Sequence, residues 1–373
     1  MVPVGNEHCD SSPKRTRQES MLKLTETHTT TNVDVRVIGV GGAGCSSLIR
    51  LQECGSSSLS MLGIDTGSAA QNLPNDIESI TIGNGFGSGG NSETAVEHFS
   101  EAELAVEDFV EEADVVIILA GLGRGTGSGL SPRIADIARR SGALTIAAVN
   151  MPFEFEGRFR NQSAVQAHSA LKNATDAVIT MNNDDLSKLN SASSSLNGAF
   201  QLADLNIANA VRAITTELES SPERRAAVLQ SLGDAGDSVV LAGSSDGLHA
   251  GRTAVSEAFD STSSEFSRVA SVVIHVEGGI GLSLGQVAEA VTELRVKVGR
   301  RADVHVSSQR LIGMGQELKV TLVLAGIELV RQVEEQPSRL TRVKERQSVV
   351  PTVSVFETEA PKRTRGPVLL PTG

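Results

Sequence analysis

Tryptophan and tyrosine are absent from this chain, and phenylalanine, present ten times, is its only aromatic residue. The core must therefore be aliphatic. Basic residues are outnumbered, 33 Lys plus Arg against 45 Asp plus Glu, giving a formal net charge of -12. That balance lacks the basic face of a general nucleic-acid binder, so no nucleic-acid partner is expected. Cysteine is scarce: Cys9, Cys45 and Cys54 are odd in number and have no metal-ligand spacing, which argues against a disulfide framework. No apolar run reaches the ~18 residues of a membrane span. The stretch MVPVGNEHCDSSPKRTRQES also lacks the apolar centre of a secretory signal. A soluble protein of the reducing cytoplasm, without a transmembrane segment, is the expectation.

What is present is length and alternation. The chain has 373 residues, 39% of them apolar, enough for two ordinary domains and tails. Residues 1 to about 30 and those from Gln332 onward are polar and read as disordered tails. Both contain the pentapeptide PKRTR, at Pro13–Arg17 and Pro361–Arg365. Two basic tails can share it by chance, or it is a docking element for an acidic surface or anionic lipid. Between the tails, apolar runs such as VDVRVIGV, LSMLGID, DVVIILAG, ALTIAAVN and DAVITMNN read as strands. They alternate with helical patterns: CSSLIRLQEC, the acidic ETAVEHFSEAELAVEDFVEEA, and SPRIADIARRSG with Ser131 as N-cap, Pro132 in the first turn and Gly142 as C-cap. Such alternation predicts a parallel sheet covered on both faces. A long helix, LNGAFQLADLNIANAVRAITTEL, closes this half, and a smaller mixed α/β unit follows over roughly 235 to 330.

Glycine carries the chemistry. RVIGVGGAGCSS follows a strand and opens a helix, a G-x-G-x-x-G-like turn that alone is compatible with a phosphate, a dinucleotide or a purely structural bend. Backbone N–H groups and the positive helix end attract phosphate oxygens there. The lysine of a Walker loop is missing, since Cys45–Ser46–Ser47 stands where G-K-S/T would be. A second loop, GLGRGTGSG, lies between a strand and a helix with Arg124 in its middle, and a third, IGNGFGSGGNSE, belongs to the same half. Three glycine loops converging on one sheet edge suit a polyphosphate, whereas a dinucleotide oxidoreductase would need only the first.

Together these segments resemble the tubulin/FtsZ superfamily. GLGRGTGSG is similar to its signature loop, G-G-G-T-G-S/T-G, and GVGGAGC, GNGFGSGGNSE, PFEFEGRFR, NND and FQLAD follow the family's order over about residues 33 to 330. PFEFEGRFR is the most specific, and the match is closer to FtsZ than to eukaryotic tubulin, with the archaeal CetZ branch as an alternative. The resemblance implies a parallel-sheet, Rossmann-like GTPase domain joined by a long central helix to a smaller mixed α/β domain. The corresponding division is a tail over 1–31, a GTP-binding domain over 32–218, a C-terminal domain over 219–331 and a tail over 332–373. GTP or GDP, with Mg2+ as an accompanying ion, is the implied ligand. Gly41, Gly42, Ala43, Gly44, Cys45 and Ser46 would meet the phosphates through the backbone, and Gly123, Gly125, Thr126 and Gly127 would hold the β- and γ-phosphates. Glu156 would bond the ribose, Arg160 would help the phosphates, Asn183 and Asp204 would read the guanine edge, and Phe200 would stack on the ring.

The departures lie in the catalytic loop. FtsZ and tubulins hydrolyse GTP in trans, a loop after the central helix positioning water with the pattern N-L-D-x-x-D in FtsZ. Aligning AVLQSLG with the family's T-V-M-S-E-M-G puts Glu219, Ser221 and Arg224 at the Asn, Asp and Asp positions. Guanidinium has no acceptor and cannot polarise water as a carboxylate does. Glu223 is one residue away, on a path altered by Pro222, and Arg224 would be an arginine finger if it met a neighbour's γ-phosphate. GIDTGS stands for the usual N-T-D, so Gly67 lacks a carboxylate near the metal, with Asp65 as a partial substitute. The family's C-terminal adaptor peptide is not recognisable in SVVPTVSVFETEAP. The expectation is a GTP-binding, filament-forming protein with impaired hydrolysis, assembling with itself or an FtsZ-like paralogue and meeting a membrane adaptor through its tails. An active polymerising GTPase of cell division is the alternative, and a Rossmann NAD(P) oxidoreductase a remote one.

Overall fold

The computed structural model describes residues 33–55, 59–186, 195–219, 221–233, 236–262, 264–311 and 313–329. Both PKRTR elements and the adaptor-peptide stretch lie outside them. The nucleotide-side half runs β1 (Val35–Val40), α1 (Gly41–Glu53), β2 (Ser60–Asp65), β3 (Glu78–Thr81), α2 (Ser92–Glu97), α3 (Glu103–Val110), β4 (Val115–Gly121), α4 (Gly125–Ser141), β5 (Leu144–Met151), α5 (Arg158–Ala174), β6 (Ala177–Asn182) and the short α6 (Asn183–Leu186). The long α7 (Leu196–Leu218) and α8 (Pro222–Gly233) lead into β7 (Gly236–Ser245), α9 (Ala250–Ser261), β8 (Phe266–Arg268), β9 (Ser271–Gly278), α10 (Leu284–Val298), β10 (Asp303–Arg310), β11 (Leu318–Ala325) and β12 (Glu328–Leu329).

Ten strands share one sheet, in the order β10-β9-β11-β7-β6-β5-β4-β1-β2-β3, and β8 and β12 form a separate ribbon. From β3 to β7 every pairing is parallel. Only β11 runs against its neighbours, β7 and β9, as the short connection from β10 allows. The mixed C-terminal strands thus continue the parallel sheet, through a short pairing of β6 with β7 from Ala177–Gly236 to Thr180–Val239. A sheet built this way puts the ends of β1, β2, β4, β5 and β6 along one edge, where open α/β sheets receive ligands.

Period-two alternation divides the core. Val35 and Val37 of β1 join Leu48, Ile117, Ile146, Ile207, Val211 and Ile214 beneath α1 and α7, while Ile38 and Val40 join Leu62, Ile118, Ile134 and Leu171 beneath α3, α4 and α5. A third cluster, including Val255, Ile274, Leu294 and Leu322, lies under α9 and α10. The largest fully buried side chains are Ile and Leu, the aliphatic core that the missing aromatics require.

Two helices differ from the sequence pattern. α4 begins at Gly125, with Arg124 as its N-cap residue, so Pro132 lies inside the helix and Ser131 is not a cap; Ser131 Oγ donates to Gly127 O at 2.6 Å instead. The glycine run is a poor helix former by propensity, but its close backbone packing fixes it as the first turns. Gly142 does end the helix, with φ 95°. The acidic 93–113 pattern breaks into α2, a 3-10 turn over Phe99–Glu101 and α3. The turn sends Phe99 into the core, and Glu101 accepts from Gly83 N at 2.9 Å.

α7 matches its expected span residue for residue, with Ser195 Oγ accepting from Gly198 N at 3.0 Å. Its middle carries a buried polar group. Arg212 pairs with Glu277 of β9 and donates to Cys54 O, at the end of α1, at 3.3 Å and to Gln309 of β10 at 3.2 Å. His275, fully buried beside them, is pushed down to about 4 by burial first and Arg212 second, and so is neutral.

Candidate functional site

The glycine loops meet because no side chain would fit between them. A Cβ on Gly44 would lie 2.4 Å from Leu119 O, one on Gly121 2.7 Å from Ala43 Cβ, and one on Gly127 2.3 Å from Gly121 O. Gly41, with φ 74°, would meet Gly127 N at 3.1 Å, so the first turns of α1 and α4 touch. The third loop closes from the other side, since a Cβ on Gly125 would strike Ser88 Oγ at 2.1 Å and Asn91 O at 2.5 Å. In the first loop Gly42 faces open space and is exposed beside exposed Ser46. The result is a backbone-lined cradle between two helix N-termini, neither carrying an acid in its first turn. Buried Cys45, its thiol pushed up to about 12 mainly by burial and then by Asp65, can offer only its backbone.

Hydroxyls pin the cradle from below. Thr66 and Thr126 share a 2.7 Å hydrogen bond, and Gly123 N donates to Ser128 Oγ at 2.8 Å. Asp65 accepts from Ala69 N at 3.3 Å and lies 3.1 Å from where a Cβ on Gly67 would be. Among the described residues no group of three or more His, Cys, Asp or Glu could hold a metal. A divalent cation here would take most of its ligands from phosphate and water, as Mg2+ commonly does.

A second set lies toward α7. Glu156 takes Arg160 Nη1 at 2.6 Å and Phe153 N at 3.0 Å, so the two predicted ribose and phosphate residues are paired with each other. Phe153 meets Phe200 edge to face, with centroids 5.5 Å apart. Asp204 accepts from Ser47 Oγ at 3.3 Å, and burial raises its carboxyl to about 7 against the weaker opposing effects of Ser47 and Arg50. Asn183, 4% exposed, leaves its Oδ1 without a hydrogen-bond partner. A desolvated carboxylate short of donors and an unpaired amide oxygen are chemically suited to a base edge rich in N–H groups, such as guanine.

The comparisons agree with this geometry. Residues 34–191 match the model of the Tubulin/FtsZ family, GTPase domain. A point mutant of FtsZ from M. jannaschii is 28% identical with TM-score 0.73, over 79% of this chain and 92% of that one. Residues 34–191 are thus a Tubulin/FtsZ-family GTPase domain. An empty FtsZ dimer from the same organism is 27% identical, TM-score 0.73, over 83% and 91% of the two chains. CetZ2 from Haloferax volcanii, in a GTPγS-bound protofilament, shares the fold at 21% identity and TM-score 0.64, over 84% and 100%.

The corner after α7 is a helix cap. Ser221 precedes Pro222, the first residue of α8, and the Arg224 N–H reaches Ser221 Oγ at 3.5 Å. Arg225 Nε donates to Leu218 O at 2.7 Å, closing the end of α7. Exposed Arg224 reaches Val306 O of β10 at 3.5 Å, and exposed Glu223 is held below the usual carboxylate range by its own backbone N–H and Ser221. Sequence reading missed Thr66, Ser88 and Asn91 as walls of the cradle. Ser88 and Asn91 carried a signal, since both lie within the third glycine loop, whereas Thr66 follows β2 outside the loops. A broad open groove of about 1860 Å3 beside Pro132, Arg133 and Arg140 lies on the outer side of α4. Its lining includes Glu93, Glu97, Asp136 and Arg139 but none of the residues expected to meet a nucleotide.

Proposed function

We propose that the protein binds GTP at the glycine cradle and assembles, with itself or an FtsZ-like paralogue, into filaments that turn over slowly or not at all. Such a polymer would serve as a scaffold or regulator in cell division or cell shape, in the cytoplasm. The observation carrying this reading is the cradle itself: two apposed helix N-termini at one end, and Asn183 and Asp204 waiting for donors at the other. In the same reading Phe200 lies against the base, Glu156 and Arg160 exchange part of their mutual pairing for ribose and phosphate, and Mg2+ enters with the nucleotide. Assembly is supported by the dimer and protofilament forms of the related structures and by Phe86, Phe155 and Phe159, 91%, 67% and 90% exposed around the cradle's rim.

Impaired hydrolysis rests on the corner, where Ser221 and Arg224 are spent on capping and on Val306 O. A second reading, an active GTPase, has one observation in its favour: Glu223 is an ionised, exposed carboxylate at the start of α8. The family assignment sets the oxidoreductase reading aside. Contact of the tails with a membrane adaptor remains part of the proposal. The deciding experiment extracts nucleotide from purified protein, then follows phosphate release and light scattering at rising protein concentration. Guanine nucleotide with scattering but flat turnover per subunit is expected. Turnover that climbs with assembly would establish the active GTPase instead.

A further inference from the structure

Arg124 interrupts the signature loop, yet its backbone is unstrained. It sits at φ -115° and ψ 173°, extended geometry open to any residue, while the conformational demand falls on Gly123 with φ 93°. Its flanks are wedged: a Cβ on Gly123 would lie 2.8 Å from Arg160 O, and one on Gly125 meets Ser88 and Asn91. The Cα of Arg124 therefore cannot move away from the cradle. Its side chain is exposed, and no hydrogen bond or ion pair to it occurs among the described residues. Two carboxylates of the cradle have other partners, Asp65 with Ala69 N and Glu156 with Arg160 and Phe153 N. A permanent, uncompensated cation thus stands at the head of α4, in a site with few carboxylates to hold a metal.

We infer that Arg124 is the residue by which this site selects a nucleoside triphosphate over a diphosphate, holding the terminal phosphate without needing a divalent cation. The inference rests on the cradle being the nucleotide site. A guanidinium fork matches two non-bridging phosphate oxygens, and the γ-phosphate supplies a pair that a diphosphate lacks. Bound GTP would then keep its preference over GDP even where Mg2+ is withheld.

The test is equilibrium binding of GTP and GDP to the full chain, in Mg2+ and in EDTA, for wild type, Arg124→Gly and Arg124→Lys. The wild type should prefer GTP in EDTA. Arg124→Gly should weaken GTP about tenfold in EDTA and GDP less than twofold, with Mg2+ restoring part of the loss, and Arg124→Lys should fall between. Equal losses for GTP and GDP, or none, overturn the inference while leaving the nucleotide site intact. A wild type that binds neither guanine nucleotide overturns the functional reading itself. Thermal melting checks the fold of Arg124→Gly, and Arg124→Lys carries the same comparison if the glycine variant is unstable.

Discussion

The cradle and the α7–α8 corner are both turns between regular elements, but opposite forces hold them. In the cradle, Gly44, Gly121 and Gly127 lie where any side chain would collide with backbone or a neighbouring Cβ. The corner is exposed from Glu219 through Arg224 where described, and is held by a cap, one local arginine bond and one long-range one. The first has one solution, enforced by packing; the second admits many residues at small cost. Chemistry placed at the corner can therefore change while the fold and the ligand cradle stay as they are. Ser221 and Arg224 in place of carboxylates, as the proposed alignment has them, would be a change of this kind.

The largest expected effect tests the rigid side. Gly127→Ala should abolish guanine-nucleotide binding and cost about 3 kcal/mol, read by calorimetry and thermal melting. An alanine variant that binds normally would break the comparison at its strongest point. Next comes the permissive side. Ser221→Asp with Arg224→Asp keeps a good cap and suits the helix dipole, so the melting temperature should hardly move. Phosphate release should nevertheless rise about a hundredfold and become assembly-dependent. Unchanged turnover would show that more than these two residues separates the corner from an active loop.

A smaller effect comes from Asp204. Burial raises its carboxyl to about 7, and guanine N–H donors favour the ionised form, so binding releases a proton. Affinity should climb about tenfold from pH 6 to pH 8, and Asp204→Asn should flatten the profile. For the ligand-free fold the sign is the reverse: because the folded value is raised, the group's contribution to stability is full below the ordinary carboxylate range and lost as pH rises through about 7. The smallest effect is at the cap, where Ser221→Ala should cost about 1 kcal/mol, measured by denaturant melts.

Legibility follows the same division. Strands and α7 could be read because burial imposes a period of two or a long apolar stripe on local sequence. The start of α4 could not: Pro132 and Ser131 are a normal helix opening, and only contacts with Gly41, Ser88 and Asn91 make the glycine run helical. β3, β8, β12 and α8 escaped notice, the three strands because each has four residues or fewer. At the site, the three glycine turns together suggested a polyphosphate by their placement, whereas Asn183 and Asp204 came only through family resemblance. The Arg212–Glu277–His275 group was invisible for a plainer reason: its members are brought together by the sheet, not by the sequence.

The Phe153–Phe200 edge contact also has an optical meaning. With no tryptophan or tyrosine anywhere in the chain, such rings are its only aromatic chromophores, and they absorb weakly. In the near ultraviolet the protein is almost transparent, so strong absorbance that travels with it on purification belongs to whatever it carries. Phe200→Trp would then install a lone fluorophore, its emission free of background, at the edge where a base would lie.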